Sequence, residues 1–136
     1  MNAALLASPC PCRTPADATP YGDCCARYHA GPLHLLAPTA EALMRSRYSA
    51  FVRGDLDYLL ATWHASTRPA RLDANPAGLK WLGLAVQRHT VIDADHATVA
   101  FVARSKLAGR AERLHELSRF VREDGRWFYV DGDDLR

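Results

Sequence analysis

The placement of the cysteines constrains this chain more than any other feature of its sequence. All four cysteines lie in the first 25 of 136 residues, at Cys10, Cys12, Cys24 and Cys25. A domain held together by disulfides carries its cysteines throughout its body, whereas the body of this chain contains none. The order Cys-Pro-Cys, an eleven-residue loop, then Cys-Cys therefore predicts a local metal site near the N-terminus.

Zinc is the metal that this ligand set favours, because zinc takes four soft or borderline ligands in a tetrahedron. Neighbouring side chains tend to diverge, so His29 is the alternative fourth ligand if Cys24 or Cys25 points away. Four protein ligands leave no open position, which favours a structural role. Iron in place of zinc stays open, as do a Cys12–Cys24 disulfide and four free thiols. A redox dithiol is disfavoured because neither cysteine pair is a Cys-x-x-Cys.

Composition and charge exclude several other classes of protein. Hydrophobic residues make up 49 % and charged residues 24 %, which is typical of a globular domain and not of a disordered chain. The net charge of +2 is too small to indicate a nucleic-acid binder. No apolar run approaches the roughly 18 residues of a membrane helix, and we expect no membrane association. Residues 1–8 lack the basic start and apolar length of a secretory signal, so we expect a cytoplasmic protein.

The sequence pattern predicts an α+β body behind the cysteine segment. We place the boundary near Gly31-Pro32, with a metal-binding knuckle over residues 1–30 and one domain over residues 31–136. Thr39 is a good N-cap for a first helix, and Gly54 ends it. Asp55 begins a second helix, whose apolar stripe is Leu56, Leu59, Leu60 and Trp63. Four segments rich in β-branched and aromatic residues then predict an antiparallel meander over residues 80–92, 96–107, 112–123 and 126–131.

Several sequence stretches resemble known families. Cys-Pro-Cys and Cys-Cys, with Tyr21 before the pair and Tyr28-His29 after it, resemble the SEC-C metal-binding motif of the translocase ATPase SecA. Leu43–Val52 (LMRSRYSAFV) resembles the hallmark segment of the uncharacterised bacterial YchJ-like family. Further similar stretches are Tyr58-Leu59, Thr62-Trp63-His64, Trp81–Leu84, Phe101–Arg104, Ser118–Phe120 and Trp127–Gly132. Together these stretches cover about residues 10–132.

This resemblance implies an N-terminal SEC-C knuckle joined to an NTF2-like domain, a cone in which helices pack on a curved antiparallel sheet. Two departures from the family pattern are visible. The loop between Cys12 and Cys24 is longer by about three residues, with Arg13-Thr14-Pro15 in place of a Gly-Ser-Gly type of turn. Many relatives carry a second SEC-C motif at the C-terminus, and we expect a single knuckle in this chain.

A cone of this kind often encloses a pocket, so we ask which polar and aromatic residues point into it. Helical and strand periodicity predicts a lining drawn from residues of both halves: Arg47, Tyr48, Trp63, His64, Trp81, Arg104, Arg119, Trp127 and Asp131. His64 and Asp131 are the candidate catalytic residues, with His64 as a general base oriented by Asp131 or Glu116. The competing interpretation places His64 at a helix C-terminus, where it satisfies backbone carbonyls, and makes the tryptophans core residues.

Two functions follow from these patterns. In the first, the knuckle is an adaptor that binds a protein or ribosomal partner, with Arg13 and Arg27 on a small basic surface. In the second, the cone binds or transforms a small molecule. The absence of a nucleophile elbow, phosphate loop or dinucleotide fingerprint argues against common hydrolases, kinases and dehydrogenases. A homodimer formed through the open sheet face is a further expectation, and the metal motif favours the adaptor.

Overall fold

The structure is a computed structural model that describes residues 3–14 and 16–136. Its N-terminal segment contains the short helix α1, Ala3–Ala7, a single 3-10 turn at Tyr21–Asp23, and the one-turn helix α2, Ala26–His29. Little regular structure holds this segment together. One antiparallel bridge between Pro9 and Pro20 closes the loop that carries the cysteines.

Two capped helices follow, as the sequence predicts. Helix α3, Ala40–Arg53, begins where the Thr39 hydroxyl accepts a hydrogen bond from the Ala42 amide at 3.0 Å. It ends at Gly54, whose φ of 72° is the left-handed conformation that glycine adopts without strain. Helix α4, Leu56–Ala61, begins where the Asp55 carboxylate accepts from the Tyr58 amide.

Helix α4 ends earlier than the apolar stripe suggests. Its last helical residue is Ala61, and the Thr62 amide closes it against the carbonyls of Tyr58 and Leu60. The next residues leave the helix and pair with the sheet, because the amide of His64 donates to the Tyr129 carbonyl at 2.7 Å. The helical periodicity that placed His64 among the predicted pocket residues therefore stops before His64.

The second half of the chain forms the predicted four-stranded antiparallel meander. The strands are β1, Lys80–Asp93, β2, His96–Leu107, β3, Arg110–Glu123, and β4, Arg126–Asp134, in the spatial order β1-β2-β3-β4. The last strand runs three residues beyond its predicted end. Hairpin turns at residues 108–109 and 124–125 place Ala108 and Asp124 at positive φ, before a glycine in each case.

A bulge in β4 changes which side chains face the helices. Phe120 pairs with Tyr129, but Arg119 pairs with Asp131, so Val130 is an extra residue on β4. An extra residue reverses the alternation of side chains along a strand. Tyr129 therefore faces the helices together with Phe120, whereas Asp131 lies on the opposite face with Arg119.

The core lies between α3, α4 and the inner face of the curved sheet. Its fully buried members include Leu43 and Leu59 from the helices and Val99 and Phe120 from the sheet. The same buried cluster continues without interruption into the cysteine segment. The α+β prediction of helices on a curved antiparallel sheet, preceded by a small cysteine knuckle, is confirmed. Within the described residues, no helix has both the length and the apolar character needed to cross a membrane.

Candidate metal centre and cavity

The four cysteine sulfurs converge in the structure. Their Sγ atoms all lie within 4.8 Å of one another, and the side chains are buried, with exposures of 0–3 %. No disulfide joins these four cysteines. The Sγ of Cys12 is 3.6 Å from those of Cys24 and Cys25, which are 4.0 Å apart. A tetrahedron with metal–sulfur bonds of about 2.3 Å has sulfur–sulfur edges of about 3.8 Å, so the cluster has the size of a four-thiolate metal site.

Local backbone geometry brings these sulfurs together. The Cys10 amide donates to the Thr19 carbonyl at 3.0 Å, beside the Pro9–Pro20 bridge, so both ends of the loop are held side by side. The 3-10 turn then returns the chain, and the Cys24 amide donates to the Tyr21 carbonyl at 3.0 Å. An unusual backbone at Cys24, with φ of −130° and ψ of −115°, lets both members of the Cys-Cys pair face one point.

The surroundings of the cluster favour thiolates at Cys24 and Cys10, whereas hydrogen bonds with Cys10 and the other thiols raise the pKa values of Cys12 and Cys25. The guanidinium of Arg13 donates to the Cys24 sulfur at 3.4 Å, and that of Arg27 donates to the Cys24 carbonyl at 2.9 Å. Hydrogen bonds from the other three thiols lower the pKa of Cys24 far below its ordinary range, and Arg13 lowers it further. A hydrogen bond from Cys12 is the main cause that lowers the pKa of Cys10 to about 6. A deprotonated sulfur is the form that binds a metal.

His29 lies outside the sulfur cluster. Its Nε2 atom donates to the Ser46 carbonyl at 2.8 Å, and its Nδ1 atom accepts from the Tyr21 hydroxyl at 2.5 Å. Burial lowers the pKa of His29 below the ordinary histidine value, so the ring is neutral at pH 7 and both nitrogens are occupied. The structure gives no support to His29 as an alternative ligand, because all four sulfurs already converge.

The knuckle rests on helix α3 through polar contacts. The Cys10 sulfur lies 3.5 Å from the Ser49 hydroxyl, and the Arg45 guanidinium donates to the Cys12 carbonyl at 2.9 Å. The Arg53 guanidinium stacks on the Tyr21 ring, 4.7 Å from its centroid. The loop departs from the family pattern at Arg13-Thr14-Pro15. The structure describes Arg13 and Thr14, whereas Pro15 lies outside the described residues.

A second feature is a cavity of about 250 Å³ between α3 and the inner face of the sheet. Four of the predicted pocket residues line it: Arg47, Tyr48, Trp63 and Trp81. Further lining residues come from inward-facing strand positions, among them Phe101, Leu114, Glu116, Ser118, Phe120 and Tyr129. Most of the lining is apolar, and its polar groups are concentrated at Arg47 and Glu116.

Arg47 is a buried cation that aromatic rings enclose. Only 5 % of the residue is exposed, and its guanidinium carbon lies 5.1 Å from the Trp63 ring centroid and 4.6 Å from that of Tyr129. Its Nη1 atom donates to the Leu59 carbonyl and to the Thr62 hydroxyl. Burial lowers the pKa of Arg47 to about 10, which still leaves the group charged at pH 7.

Glu116 supplies a carboxylate to the same cavity. It accepts a hydrogen bond from the Ser118 hydroxyl and lies directly over Gly132 of β4. A methyl group at Gly132 would come within 3.0 Å of three side-chain atoms of Glu116, so glycine makes room for the carboxylate. Burial is the main cause that raises the pKa of the neighbouring Tyr129 to about 12, and the negative charge of Glu116 adds to this effect.

Five of the predicted pocket residues lie outside this cavity. Arg119 is on the outer face of the sheet, paired with Asp131 at 2.6 Å and with Asp133 at 2.7 Å. The β4 bulge explains this position of Asp131, because it reverses the alternation that the sequence suggests. Arg104 is exposed beside a groove between the knuckle and β1, and Trp127 lies under the Arg122 guanidinium.

His64 lines a second groove, together with the predicted residues Arg119 and Asp131. Its Nε2 atom bonds Glu123 at 2.9 Å, and its Nδ1 atom accepts from the Ser66 hydroxyl at 2.6 Å and from the Ser66 amide at 3.1 Å. Neither Asp131 nor Glu116, the predicted acids, bonds this ring. The interpretation that His64 satisfies helix carbonyls is not supported either, because both ring nitrogens bond side chains or an amide of a following residue.

Sequence reasoning missed much of the true lining of the cavity. The even-numbered residues of β3 from Leu114 to Phe120 share the inner face, and so does Tyr129. The alternation of side chains along β3 could have identified these lining residues, because Ser118 and Phe120 follow Glu116 at intervals of two. The predicted pocket residue Arg119 is one residue out of phase with this inner-face series, so it lies on the outer face of the sheet.

Comparisons with known proteins agree with this architecture. Residues 39–132 match the family described as "YchJ, middle NTF2-like domain". The chain belongs to the YchJ-like family. A UPF0225 protein from Bordetella pertussis is 62 % identical over 124 residues, covering 91 % of each chain. Another from Cupriavidus metallidurans is 59 % identical over 132 residues, which is 93 % of this chain and 89 % of the relative.

Two solved structures share both the fold and the knuckle family. A SEC-C motif containing protein from Psychrobacter arcticus has a TM-score of 0.79 and 33 % identity, covering 94 % of this YchJ-like chain and 83 % of that protein. A SEC-C motif containing protein from Rhodopseudomonas palustris has the same TM-score with 30 % identity, covering 94 % and 99 %. The resemblance to the YchJ-like and SEC-C families is thereby confirmed.

Proposed function

We propose that this chain is a cytoplasmic zinc-binding adaptor. Cys10, Cys12, Cys24 and Cys25 hold one zinc ion as a structural element, and the surface beside this knuckle binds a partner protein, ribosomal proteins being one class of candidate. The zinc orders a segment that is too poor in regular structure to fold alone. The reducing cytoplasm keeps the four thiols available for the metal.

The observation that carries the proposal is the convergence of four buried cysteine sulfurs. The Sγ separations among Cys12, Cys24 and Cys25 are 3.6–4.0 Å, close to the edges expected for zinc, and all four sulfurs lie within 4.8 Å of one another on buried side chains. Catalytic zinc sites keep an open position for water or substrate, whereas structural sites use four protein ligands. Iron uses the same ligands, and metal analysis separates the two ions.

The groove between the knuckle and β1 supports the adaptor role. Knuckle residues Pro11 and Arg13 line one side, and Leu82 and Arg104 from the sheet line the other. Leu82 is the extra residue of a bulge in edge strand β1 and is 56 % exposed, so its side chain is available to a partner. Two guanidinium groups beside an exposed leucine suit an acidic protein segment that also carries an apolar side chain.

Elemental analysis with thiol titration tests the metal site. We expect one zinc per chain and four thiols that react only after chelation or denaturation. The Cys10→Ser/Cys12→Ser variant is expected to lose the metal, whereas Thr14→Ser, an exposed change in the same loop, is expected to keep it. Purified chain with four freely reactive thiols and no metal would contradict the zinc site, and stoichiometric iron would replace zinc in the proposal.

Affinity capture with matched variants tests the adaptor role. We expect a captured protein to be lost with Leu82→Ala/Arg104→Ala, which alters the groove without touching a cysteine, and kept with Arg110→Ala/Arg113→Ala, which removes two exposed arginines from β3. Zinc content should be equal in both variants. Capture that survives the first variant, or no specific capture at all from a bacterial lysate with ribosomes, would count against an adaptor that uses this groove.

A further inference from the structure

Two buried donors point to a ligand for the cavity between α3 and the sheet. The indole Nε1 atoms of Trp63 and Trp81 are buried, have no hydrogen-bond partner among the described residues, and belong to side chains that line this cavity. An unpaired buried donor costs about 1–3 kcal/mol, so proteins normally satisfy such groups. Both indoles belong to side chains around one cavity, where an acceptor bound from outside the chain would satisfy these donors.

Arg47 adds a positive charge that forms no direct ion pair with a described residue, although the charge of Glu116 in the same cavity acts on it. Within the described residues no carboxylate lies within 4.0 Å of its guanidinium, although the residue is only 5 % exposed. Its Nη1 atom is occupied by Leu59 and Thr62, so the Nε and Nη2 atoms remain as donors. A buried charge is normally paired or hydrogen-bonded on all its donors, and a bound anion would complete this one.

The size and walls of the cavity define the rest of the ligand. The walls include Met44, Phe51, Phe101, Leu114 and Phe120, which offer hydrocarbon and ring surfaces. An apolar cavity of about 150 Å³ accepts a benzene ring. At about 250 Å³, this cavity has room for one aromatic ring with small polar substituents.

We propose that this cavity is a binding site for a small hydroxy-aromatic carboxylate. The ligand carboxylate accepts hydrogen bonds from Arg47 and from the indole N–H groups of Trp63 and Trp81. The ring packs against the apolar walls, and the ligand hydroxyl donates to Glu116 at the sheet side of the cavity. This site is separate from the metal centre and does not depend on the adaptor role.

The order of affinities among matched probes tests this assignment. 4-Hydroxybenzoate, 4-hydroxybenzyl alcohol and tyramine carry a negative, a neutral and a positive substituent on the same phenol. We expect 4-hydroxybenzoate to bind the full metal-containing chain at least tenfold more tightly than the other two, because only it pairs with Arg47. Equal affinity for all three, or preference for tyramine, would overturn the assignment.

Indole resonances in ¹H–¹⁵N spectra show where the probe binds. Titration with 4-hydroxybenzoate is expected to shift the indole peaks of Trp63 and Trp81 and to leave that of Trp127 unchanged, since Trp127 lies outside the cavity lining. Single Trp→Phe variants assign the three peaks. No saturable shift of the first two peaks at millimolar probe would overturn the proposal.

Two variants and a control separate binding from folding. Arg47→Met removes the charge with similar volume, and Leu114→Trp fills the cavity from a position that is 43 % exposed and tolerant of change. Each is expected to weaken 4-hydroxybenzoate at least tenfold, whereas Arg119→Met, on the outer face, is expected to bind as the wild type does. If Arg47→Met fails to fold, the affinity of Leu114→Trp for 4-hydroxybenzoate tests the proposal. An affinity equal to that of the wild type would overturn the assignment of the binding site to this cavity.

Discussion

The cysteine knuckle and the sheet-containing body are stabilised by different means. In the knuckle, the buried centre consists of four sulfurs and a few aromatic rings, and the described chain around it forms one bridge, the short helices α1 and α2, and one 3-10 turn. In the body, two capped helices cover a four-stranded sheet over an apolar core. If the four sulfurs hold a metal as proposed, the knuckle depends on that ion for its stability, whereas the body folds through burial of apolar surface.

Breaking the metal site is expected to have the largest effect. Structural zinc contributes about 10–16 kcal/mol of apparent binding free energy in small metal domains. We expect Cys12→Ser to abolish metal binding and hydrogen-exchange protection in Tyr21–Asp23 and Ala26–His29, while the amides of β2 and β3 stay protected. Simultaneous loss of protection in both regions would show that they are one cooperative unit and would contradict the comparison.

Truncation of a core side chain should destabilise the body and leave the metal content of the knuckle unchanged. Leu59 is fully buried at 0 % exposure, and we expect Leu59→Ala to lower the free energy of unfolding of the body by about 2–5 kcal/mol. Denaturant unfolding measures this loss, and elemental analysis is expected to show unchanged metal content under native conditions. The matched Leu82→Ala, at a 56 % exposed position, should change stability by less than about 0.5 kcal/mol.

Gly132 tests the packing of the cavity within the body. We expect Gly132→Ala to destabilise the protein by about 1 kcal/mol, because the new methyl group displaces Glu116 and breaks its hydrogen bond with Ser118. The double variant Gly132→Ala/Glu116→Ala removes the clash, so the two losses should not add. Additive losses in a double-mutant cycle would show that Glu116 does not occupy the space over Gly132.

The contact between the two regions should show a pH dependence of smaller size. Burial depresses the pKa of His29 in the folded state, so the unfolded state binds more protons as the pH falls. The stability that the neutral His29 ring contributes is present above the pKa of the unfolded state, near 6.5. This stability is lost as the pH falls through the lower pKa of the folded state. We expect the free energy of unfolding of His29→Gln to depend less on pH between pH 7 and 5 than that of the wild type, when both carry the same amount of metal. An identical pH dependence in the two proteins would exclude His29 as its source.

Much of the fold is readable from local sequence signals. Thr39, Gly54 and Asp55 mark helix ends through hydrogen bonds and backbone conformations that depend on a few neighbouring residues. The strand segments are readable for the same reason, since alternation and turn residues act locally. The convergence of all four sulfurs also follows the cysteine pattern, although the backbone twist at Cys24 that permits it is visible only in three dimensions.

The lining of the cavity was only partly predictable. The cavity lining includes four predicted residues, Arg47, Tyr48, Trp63 and Trp81. Helix α3 is regular, and the positions just after α4 and at the start of β1 lie where the helices meet the sheet. His64 and Asp131 do not line the cavity, because α4 ends at Ala61 and β4 contains a bulge at Val130. Each irregularity shifts the phase of the side chains that follow it.

The amino-acid sequence by itself determined the cysteine knuckle, the two capped helices and the order of four strands, since all of these rest on interactions between residues close in the chain. The tertiary structure alone decided which polar side chains meet. Pairing of His64 with Tyr129 and the extra residue in β4 arise from contacts between distant segments, and a shift of one residue in a strand exchanges its two faces. Glu116 therefore joins Arg47 in the cavity, while Asp131 binds Arg119 outside.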